Sequence, residues 1–161
     1  MLVGPWYVLR LGEIRAARAA LKEVAERSER VDTRFAVLVY LALAEVESGN
    51  SEAALPLIER ALSGLTAGPA LAEAHLLRGQ VLLSQGAAGN GWADLDRAQE
   101  LDAVVRVEAA LTQLRWAIHY DERARAGDAF TQLLSYSEAG QRLDTVVALA
   151  NRAAQQWSPG E

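Results

Sequence analysis

Two stretches of the chain share one residue pattern at a separation of 37 residues, and this internal repeat limits the folds that the chain can adopt. The first stretch covers residues 38–62 and the second covers residues 75–99. In each, a small residue, Ala42 or Gly79, lies seven positions before a glycine, and an alanine follows that glycine by twelve. A repeat of this length is a supersecondary unit that cannot bury its apolar side alone, so successive units must stack. Stacked units form a continuous core and an extended curved surface, which suits the binding of another molecule.

The composition favours a single all-α domain. The chain has 161 residues, of which 51% are hydrophobic, so it can bury a substantial core. Alanine and leucine dominate, and both favour helices, whereas β-branched and aromatic residues are sparse. Cysteine is absent, which excludes disulfides, a thiolate nucleophile and a cysteine-based metal site, and which is compatible with a reducing cytosol.

The N-terminal sequence and the length of the apolar segments predict a soluble, cytoplasmic protein. Residues 1–13 have no basic leader, and Gly4, Pro5 and Arg10 interrupt their apolar run, so no signal peptide is expected. No uninterrupted apolar segment approaches the roughly 18 residues of a membrane-spanning helix. We therefore do not expect a membrane among the partners.

Charge is distributed unevenly along the chain. The net charge is −5, with +2 in residues 1–34, −6 in residues 35–105 and −1 in residues 106–161. The acidic centre would repel phosphates, so no nucleic acid is expected as a partner. A basic stripe near the N-terminus that includes Arg18 and Lys22 could contact an acidic partner, but a solvated helix face interleaved with glutamates also explains it.

Apolar residues at helical spacing predict about eight or nine helices separated by short breaks, so that consecutive helices are antiparallel neighbours. We expect a partial repeat at 1–32, repeats at about 35–68 and 72–103, a degenerate repeat at 104–127 and a C-terminal hairpin at 128–159. The hairpin should turn at Gly140–Gln141, while residues 120–128 either extend the preceding helix or begin another.

Several residues suit the ends of the predicted helices. Asp32 or Thr33 is the expected N-cap of the second helix, and Ser51 is that of the third. Gly49 and Asn50 suit a left-handed C-terminal cap between these two helices. A proline inside the third helix is expected either to kink it or to move its start to a later residue.

The hairpins resemble tetratricopeptide repeats, in which W-x2-L-G-x2-Y is followed by A-x3-F, an alanine and a proline. The best match is Leu38, Leu41 and Ala42, then Gly49, then Ala54, Ile58 and Ala61. The following repeat offers Gly79, Leu82, Gly86, Leu95 and Ala98, with Arg78 and Gly91 in place of the expected leucine and alanine. Gly12, Ala17 and Leu21 look like the second half of a repeat whose first helix is nearly missing. The resemblance implies an α-solenoid of stacked antiparallel helical hairpins.

In such arrays the first helix of each hairpin lines a concave binding face. By this resemblance the partner-binding residues are Val39, Leu43 and Glu47, then Glu73, Leu76, Gln80 and Leu83, with Leu114 from a third helix. The surface is mostly apolar with a few acids, and it lacks the Lys/Arg/Asn set that grips a C-terminal carboxylate in chaperone-binding members. An amphipathic helix or an apolar extended segment with basic flanks is the expected ligand. The same leucines could equally pack inside the protein or against a second copy in a homodimer.

The sequence offers little for catalysis. His75 and His119 are the only histidines, and Glu73 beside His75 has no further ligand at helical spacing, so no metal site is predicted. Residues 86–91 are rich in glycine but follow no strand, so they do not predict phosphate binding. The carboxylates Asp94 and Asp96 are expected on a solvated helix face.

Four tryptophans stand out as possible interface anchors or core residues: Trp6, Trp92, Trp116 and Trp157. Trp92 and Trp157 are expected to be partly exposed, and Trp116 is expected to pack against Tyr120 within one helix.

Together these features predict a non-catalytic scaffold for protein–protein interaction, without cofactor or metal, that binds a peptide or helix on its concave face. The alternative is a regulatory or oligomerisation segment of a larger protein, because longer repeats of this kind resemble the helical-repeat regions of bacterial signalling and transcription regulators.

Overall fold

In a computed structural model of the protein, the described part of the chain is residues 14–158, without the side chains of Ile14, Arg15, Ala17, Ala25 and Ser137. The expectations for Trp6, Gly12 and the Ala17 side chain therefore lie outside the described residues.

Within this range the chain is all-α, as predicted, and contains no strand. The helices are α1 Ile14–Arg27, α2 Val31–Glu47, α3 Ser51–Gly64, α4 Pro69–Ser84, α5 Ala88–Leu101, α6 Val105–His119, α7 Arg123–Ser135 and α8 Leu143–Gln156. A 3-10 helix, Ser137–Arg142, lies between α7 and α8. None of these helices is both long and apolar enough to cross a membrane.

Three tight turns of one kind follow α2, α4 and α6. Each places a residue in the left-handed region, namely Gly49 at φ 80°, Gly86 at φ 83° and Asp121 at φ 59°. The next residue in each turn donates its backbone N–H five residues back, for example Asn50 to the Glu45 carbonyl at 2.8 Å. These bonds satisfy carbonyls that the helix end would leave unpaired. The C-terminal cap predicted at Gly49 and Asn50 is confirmed.

The predicted N-caps were wrong. α2 begins at Val31 with Arg30 as N-cap, and α3 begins at Ser51 with Asn50 as N-cap. Neither N-cap side chain bonds to the helix backbone. Pro56 does not move the start of α3 to a later residue: the helix begins at Ser51, and Pro56 lies inside it with its ring exposed.

The helices pack mainly against neighbours in the chain. α2 packs against α3, α4 against α5, and α6 against α7, so each tight turn joins a hairpin. The first helix of each hairpin also contacts the first helix of the next, in the order α2, α4, α6 and finally α8. Two apolar clusters fill these interfaces. α4 contributes Ala74 and Leu77 to one cluster and Leu76 and Leu83 to the other, so it joins the two halves of the core.

The last third of the chain differs from the prediction. The third hairpin is α6 with α7. Residues 120–122 form its turn and α7 begins at Arg123, which is the second of the two possibilities that the sequence left open for residues 120–128. Residues Gly140–Gln141 lie inside the 3-10 helix rather than in a hairpin turn, and α8 packs on α6. The turn between α6 and α7 could not be recognised by a glycine, because Asp121 takes there the left-handed conformation that glycine takes in the other two turns.

Two glycines bring α4 and α5 unusually close. A Cβ atom at Gly79 would lie 2.9 Å from the Gly91 carbonyl oxygen, and one at Gly91 would lie 2.7 Å from Cγ of Leu83. Both distances are below van der Waals contact, so only glycine fits at either position without a shift of the helices. The two glycines therefore determine the distance between α4 and α5 where the helices meet.

Candidate functional site

The five apolar residues predicted to bind a partner are buried in the helix packing. Their exposed fractions are 2% for Val39, 6% for Leu43, 9% for Leu76 and 0% for both Leu83 and Leu114. Their side chains are covered by neighbouring helices, so these positions do not form an open apolar groove. This arrangement corresponds to the second possibility left open by the sequence, internal packing.

The three polar residues of the predicted surface remain accessible. Glu47 is exposed, whereas Glu73 and Gln80 are half-buried. Glu73 and Gln80 are seven residues apart on α4, as are Tyr40 and Glu47 on α2, so each pair shares one side of its helix. We call these four residues, on two helices in contact, the α2–α4 face.

Glu73 is the chemically distinctive group of the α2–α4 face. Burial of its carboxyl group, and secondarily the charge of Asp102, raises its pKa to about 7. Burial, together with the charge of Glu73, raises the pKa of the nearby Tyr40 hydroxyl. No described residue forms a hydrogen bond or an ion pair with the Glu73 carboxyl group. A half-buried carboxyl group of this kind would gain strongly from a cation supplied by a ligand.

A buried polar cluster joins α3, α4 and α5. Asp94 is 5% exposed, and its carboxylate accepts bonds of 2.8 Å from both Nε and Nη2 of Arg78. Nδ1 of His75 lies 2.9 Å from the same carboxylate, and Nη1 of Arg78 reaches Glu59 at 3.3 Å. The expectation of a solvated Asp94 was therefore wrong. A sequence signal existed, because Arg78 occupies a position where the repeat pattern expects leucine.

Two opposing effects, burial and hydrogen bonding, determine the pKa of Asp94. Burial by itself would raise the pKa of Asp94, but the hydrogen bonds from His75 and Arg78 and the charge of Arg78 outweigh it and lower the pKa. The hydrogen bond from Arg78 to Asp94 likewise raises the pKa of the guanidinium. Asp94 is thus a paired carboxylate that joins α5 to α4, and Arg78 extends the cluster to Glu59 on α3. No group of three histidine or acidic side chains within residues 14–158 is placed to hold a metal ion.

The tryptophans are mostly structural in this fold. Trp92 is 5% exposed, which contradicts its predicted exposure, and the Arg125 guanidinium lies 4.3 Å from its ring centre. Trp116 stacks on Tyr120 at 5.8 Å between ring centroids, as predicted. Trp157 is half-buried, as expected, and its Nε1 donates to Asp121 at 2.6 Å.

A crevice of about 430 Å³ lies between α1 and α3 above α2. Leu38 and Leu41 of α2 and Leu57 of α3 form its apolar lining, together with Phe35. Its rim carries Lys22, Arg34 and Arg60, one cation from each helix, and a single carboxylate, Glu26. We call this the first crevice; only Lys22 on its rim belongs to the basic stripe noted in the sequence.

The α2–α4 face, which is acidic, and the first crevice, which is basic, are thus two candidate surfaces for binding a ligand. Comparison with known proteins adds no further candidate residue. No protein-family model, curated protein or solved structure matches the chain.

Proposed function

We propose that the chain is a non-catalytic helical-repeat scaffold of tetratricopeptide type that binds a basic segment of a partner protein on the α2–α4 face. In this proposal the hairpins stack as an α-solenoid, and the first helices of successive hairpins present one continuous surface. The half-buried carboxyl group of Glu73, which lacks a partner among the described residues, is the observation that carries the proposal.

Regular links between successive hairpins support the stacking. The Tyr120 hydroxyl donates to the backbone carbonyl of Leu83, and Nε2 of Gln156 donates to that of Ile118 at 2.8 Å. Leu83 and Ile118 are the penultimate residues of α4 and α6, so the same point of each first helix is tied to the next one. Contacts restricted to nearest neighbours in this way are the basis of solenoid stability.

Charge supports a basic ligand. Residues 35–105, which include the α2–α4 face, carry a net charge of −6. A lysine or arginine of the ligand would stabilise the ionised form of Glu73, and Glu47 on the neighbouring helix would add a second, exposed carboxylate. A charge-assisted hydrogen bond is worth about 1.5 to 3 kcal/mol, which is enough to select a basic ligand over a neutral one.

Calorimetric titration with three matched short peptides tests this proposal. The peptides share the same leucines and phenylalanine and differ only in having lysine, glutamine or glutamate at every other position. We expect the lysine peptide to bind more tightly than the glutamine peptide, and Glu73→Gln to weaken the binding of the lysine peptide about tenfold or more. Glu52→Gln, which alters an exposed carboxylate on α3, is the matched control and should leave the affinity unchanged.

Proton release gives a second readout of the same titration. Because the pKa of Glu73 is about 7, roughly half of these carboxyl groups are protonated at neutral pH in the free protein. Pairing with a cation lowers this pKa, so binding should release about half a proton, measured as a dependence of the heat on the buffer. Equal affinity for the three peptides, or binding without proton release, would contradict the proposal.

One observation favours the alternative of an oligomerisation segment of a larger bacterial signalling or transcription-regulatory protein. Leu143 and Val147 lie one turn apart on α8 and are 61% and 49% exposed. Apolar side chains at this spacing could pack against a second copy. Light scattering decides the matter, because self-association through α8 predicts a dimer that Val147→Glu converts to a monomer.

A further inference from the structure

The internal repeat makes it possible to compare the first crevice with its counterparts further along the chain. Helices α1, α3 and α5 end at Arg27, Gly64 and Leu101, each 37 residues after the one before. The space between α1 and α3 above α2 therefore corresponds to the space between α3 and α5 above α4. Each side chain in the first crevice has an equivalent 37 residues later.

The second crevice is occupied by charges that pair with one another. Its volume is about 350 Å³, and Glu59, Arg78 and Asp94 all line it. Arg78 bridges the two carboxylates, with its Nη1 atom 3.3 Å from Glu59 and its Nε atom 2.8 Å from Asp94. Each of these three charged groups thus has a partner of opposite sign within the chain.

The third position carries a related bond. Asp96 on α5 is equivalent to Glu59, and its partner is Gln113 on α6, two residues before the equivalent of Arg78. Nε2 of Gln113 donates to Asp96 at 2.6 Å, although Gln113 is only 4% exposed. In the second crevice and at the third position, therefore, the residue equivalent to Lys22 forms a polar bond with the first helix of the next hairpin.

No equivalent of the Glu59–Arg78 bond lies in the first crevice; α1 and α2 are joined instead by Arg18 and Glu45, at 2.7 Å and outside the lining of the crevice. Leu41 and Leu57 stand where Arg78 and Asp94 stand one repeat later, and Lys22 stands where Glu59 does. Lys22, Arg34 and Arg60 have no ion pair with any described residue, and Glu26 is the one carboxylate beside them. The first crevice thus combines an apolar lining with an excess of two positive charges in a chain whose net charge is −5.

We propose that the first crevice is a second docking site, which takes an acidic segment of a partner protein that inserts an apolar side chain between α1 and α3. Charge complementarity selects this occupant, because three cations from three helices surround the apolar lining. Residues 1–13 of the chain itself carry one basic and one acidic residue, so their charge does not match the rim. The site is separate from the α2–α4 face, and the two would bind ligands of opposite charge.

The glutamate peptide of the matched set tests this site. We expect it to bind more tightly than the glutamine peptide, and the affinity should fall when the salt concentration rises from about 0.05 M to about 0.5 M. Lys22→Glu combined with Arg60→Glu should weaken it about tenfold, because two favourable charge pairs become repulsive. Circular dichroism of the double variant checks that the helices remain folded.

Arg97→Glu is the matched control, since Arg97 is the equivalent of Arg60 one repeat later and lies outside the first crevice. It should leave the affinity for the glutamate peptide unchanged, as should Glu73→Gln, which separates this test from that of the α2–α4 face. Two results would overturn the proposal at once: a glutamate peptide that binds no better than the glutamine peptide, or an equal loss in Arg97→Glu.

Two further results would replace the acidic partner with another occupant. A synthetic peptide of residues 1–13 that displaces the glutamate peptide, and that binds more tightly, would assign the crevice to the chain's own N-terminal segment. A dimer in light scattering that Lys22→Glu with Arg60→Glu dissociates would assign it to a second copy.

Discussion

Replacing Glu73 with glutamine should change the pH dependence of stability in a defined direction. Burial raises the pKa of this carboxyl group from 4.5 to about 7 in the folded protein. Between these two values the folded chain binds more protons than the unfolded chain, so the free energy of unfolding decreases as the pH rises. Stability is highest when Glu73 is protonated in both states, and the full penalty for burying its charge is present above about pH 7.

The expected magnitude follows from these two pKa values. They differ by about 2.5, and each pKa unit corresponds to about 1.4 kcal/mol, which sets an upper limit of about 3.4 kcal/mol. Glu73 is half-buried rather than fully enclosed, so solvent screens part of this penalty. We therefore expect Glu73→Gln, which keeps the shape without the charge, to be more stable than the native chain by roughly 2 kcal/mol at about pH 8.

Equilibrium urea unfolding followed by circular dichroism measures this difference. The native chain and Glu73→Gln should be nearly equal in stability at about pH 4 and should diverge as the pH rises towards about 8. Other titrating groups are common to both proteins and largely cancel in the comparison. A difference that does not change with pH, or a glutamine variant that is less stable at high pH, would refute the assignment of Glu73 as a desolvated carboxyl group.

Three other substitutions test the packing, each by urea unfolding. Asp94→Asn should destabilise the protein by about 1.5 to 3 kcal/mol, because it leaves the half-buried Arg78 with only the exposed Glu59 as its anion; since hydrogen bonds lower the pKa of Asp94, this contribution should also be lost from the native chain as the pH falls towards the folded pKa. Gly91→Ala should cost about 1 to 3 kcal/mol, since its Cβ would lie 2.7 Å from Leu83, whereas Gly89→Ala in the same helix meets nothing within 4 Å and should be tolerated. Asp121→Ala should be less stable than Asp121→Gly by about 1 to 2 kcal/mol, because φ is 59° at this position.

The sequence predicted the helices of the first two hairpins well, because apolar periodicity and turn glycines agreed there. The turn expected at Gly49 is present, and α4 and α5 occupy residues 69–101, close to the repeat expected at about 72–103. The glycine-rich segment 86–91 is not one loop, because α5 already begins at Ala88. Its last residue, Gly91, serves close packing against α4 rather than a loop, and this role depends on a tertiary contact that composition does not reveal.

The third hairpin and the candidate surfaces were harder to predict. The turn between α6 and α7 contains Asp121 instead of a glycine, and Asp121 accepts hydrogen bonds from Gln156 and Trp157, which are 35 and 36 residues away in the chain.

Apolar residues at helical spacing are expected both in a binding groove and in a core. The sequence alone therefore could not decide whether Val39 and Leu83 are exposed or buried. The polar members of the same surface, such as Glu73, were chosen by the same register, and they stay accessible because charged side chains are rarely buried in a core.

Distances between equivalent points on successive hairpins test most directly whether the hairpins stack. The second residues of α3, α5 and α7 are Glu52, Gly89 and Ala124, respectively, and all three are exposed. The chain has no cysteine, so spin labels can be attached in pairs after Glu52→Cys, Gly89→Cys and Ala124→Cys. Electron paramagnetic resonance should give similar distances for the two neighbouring pairs and a distance close to their sum for the outer pair. An outer distance no longer than either neighbouring one would mean that the hairpins close into a bundle, and it would contradict the stacked scaffold.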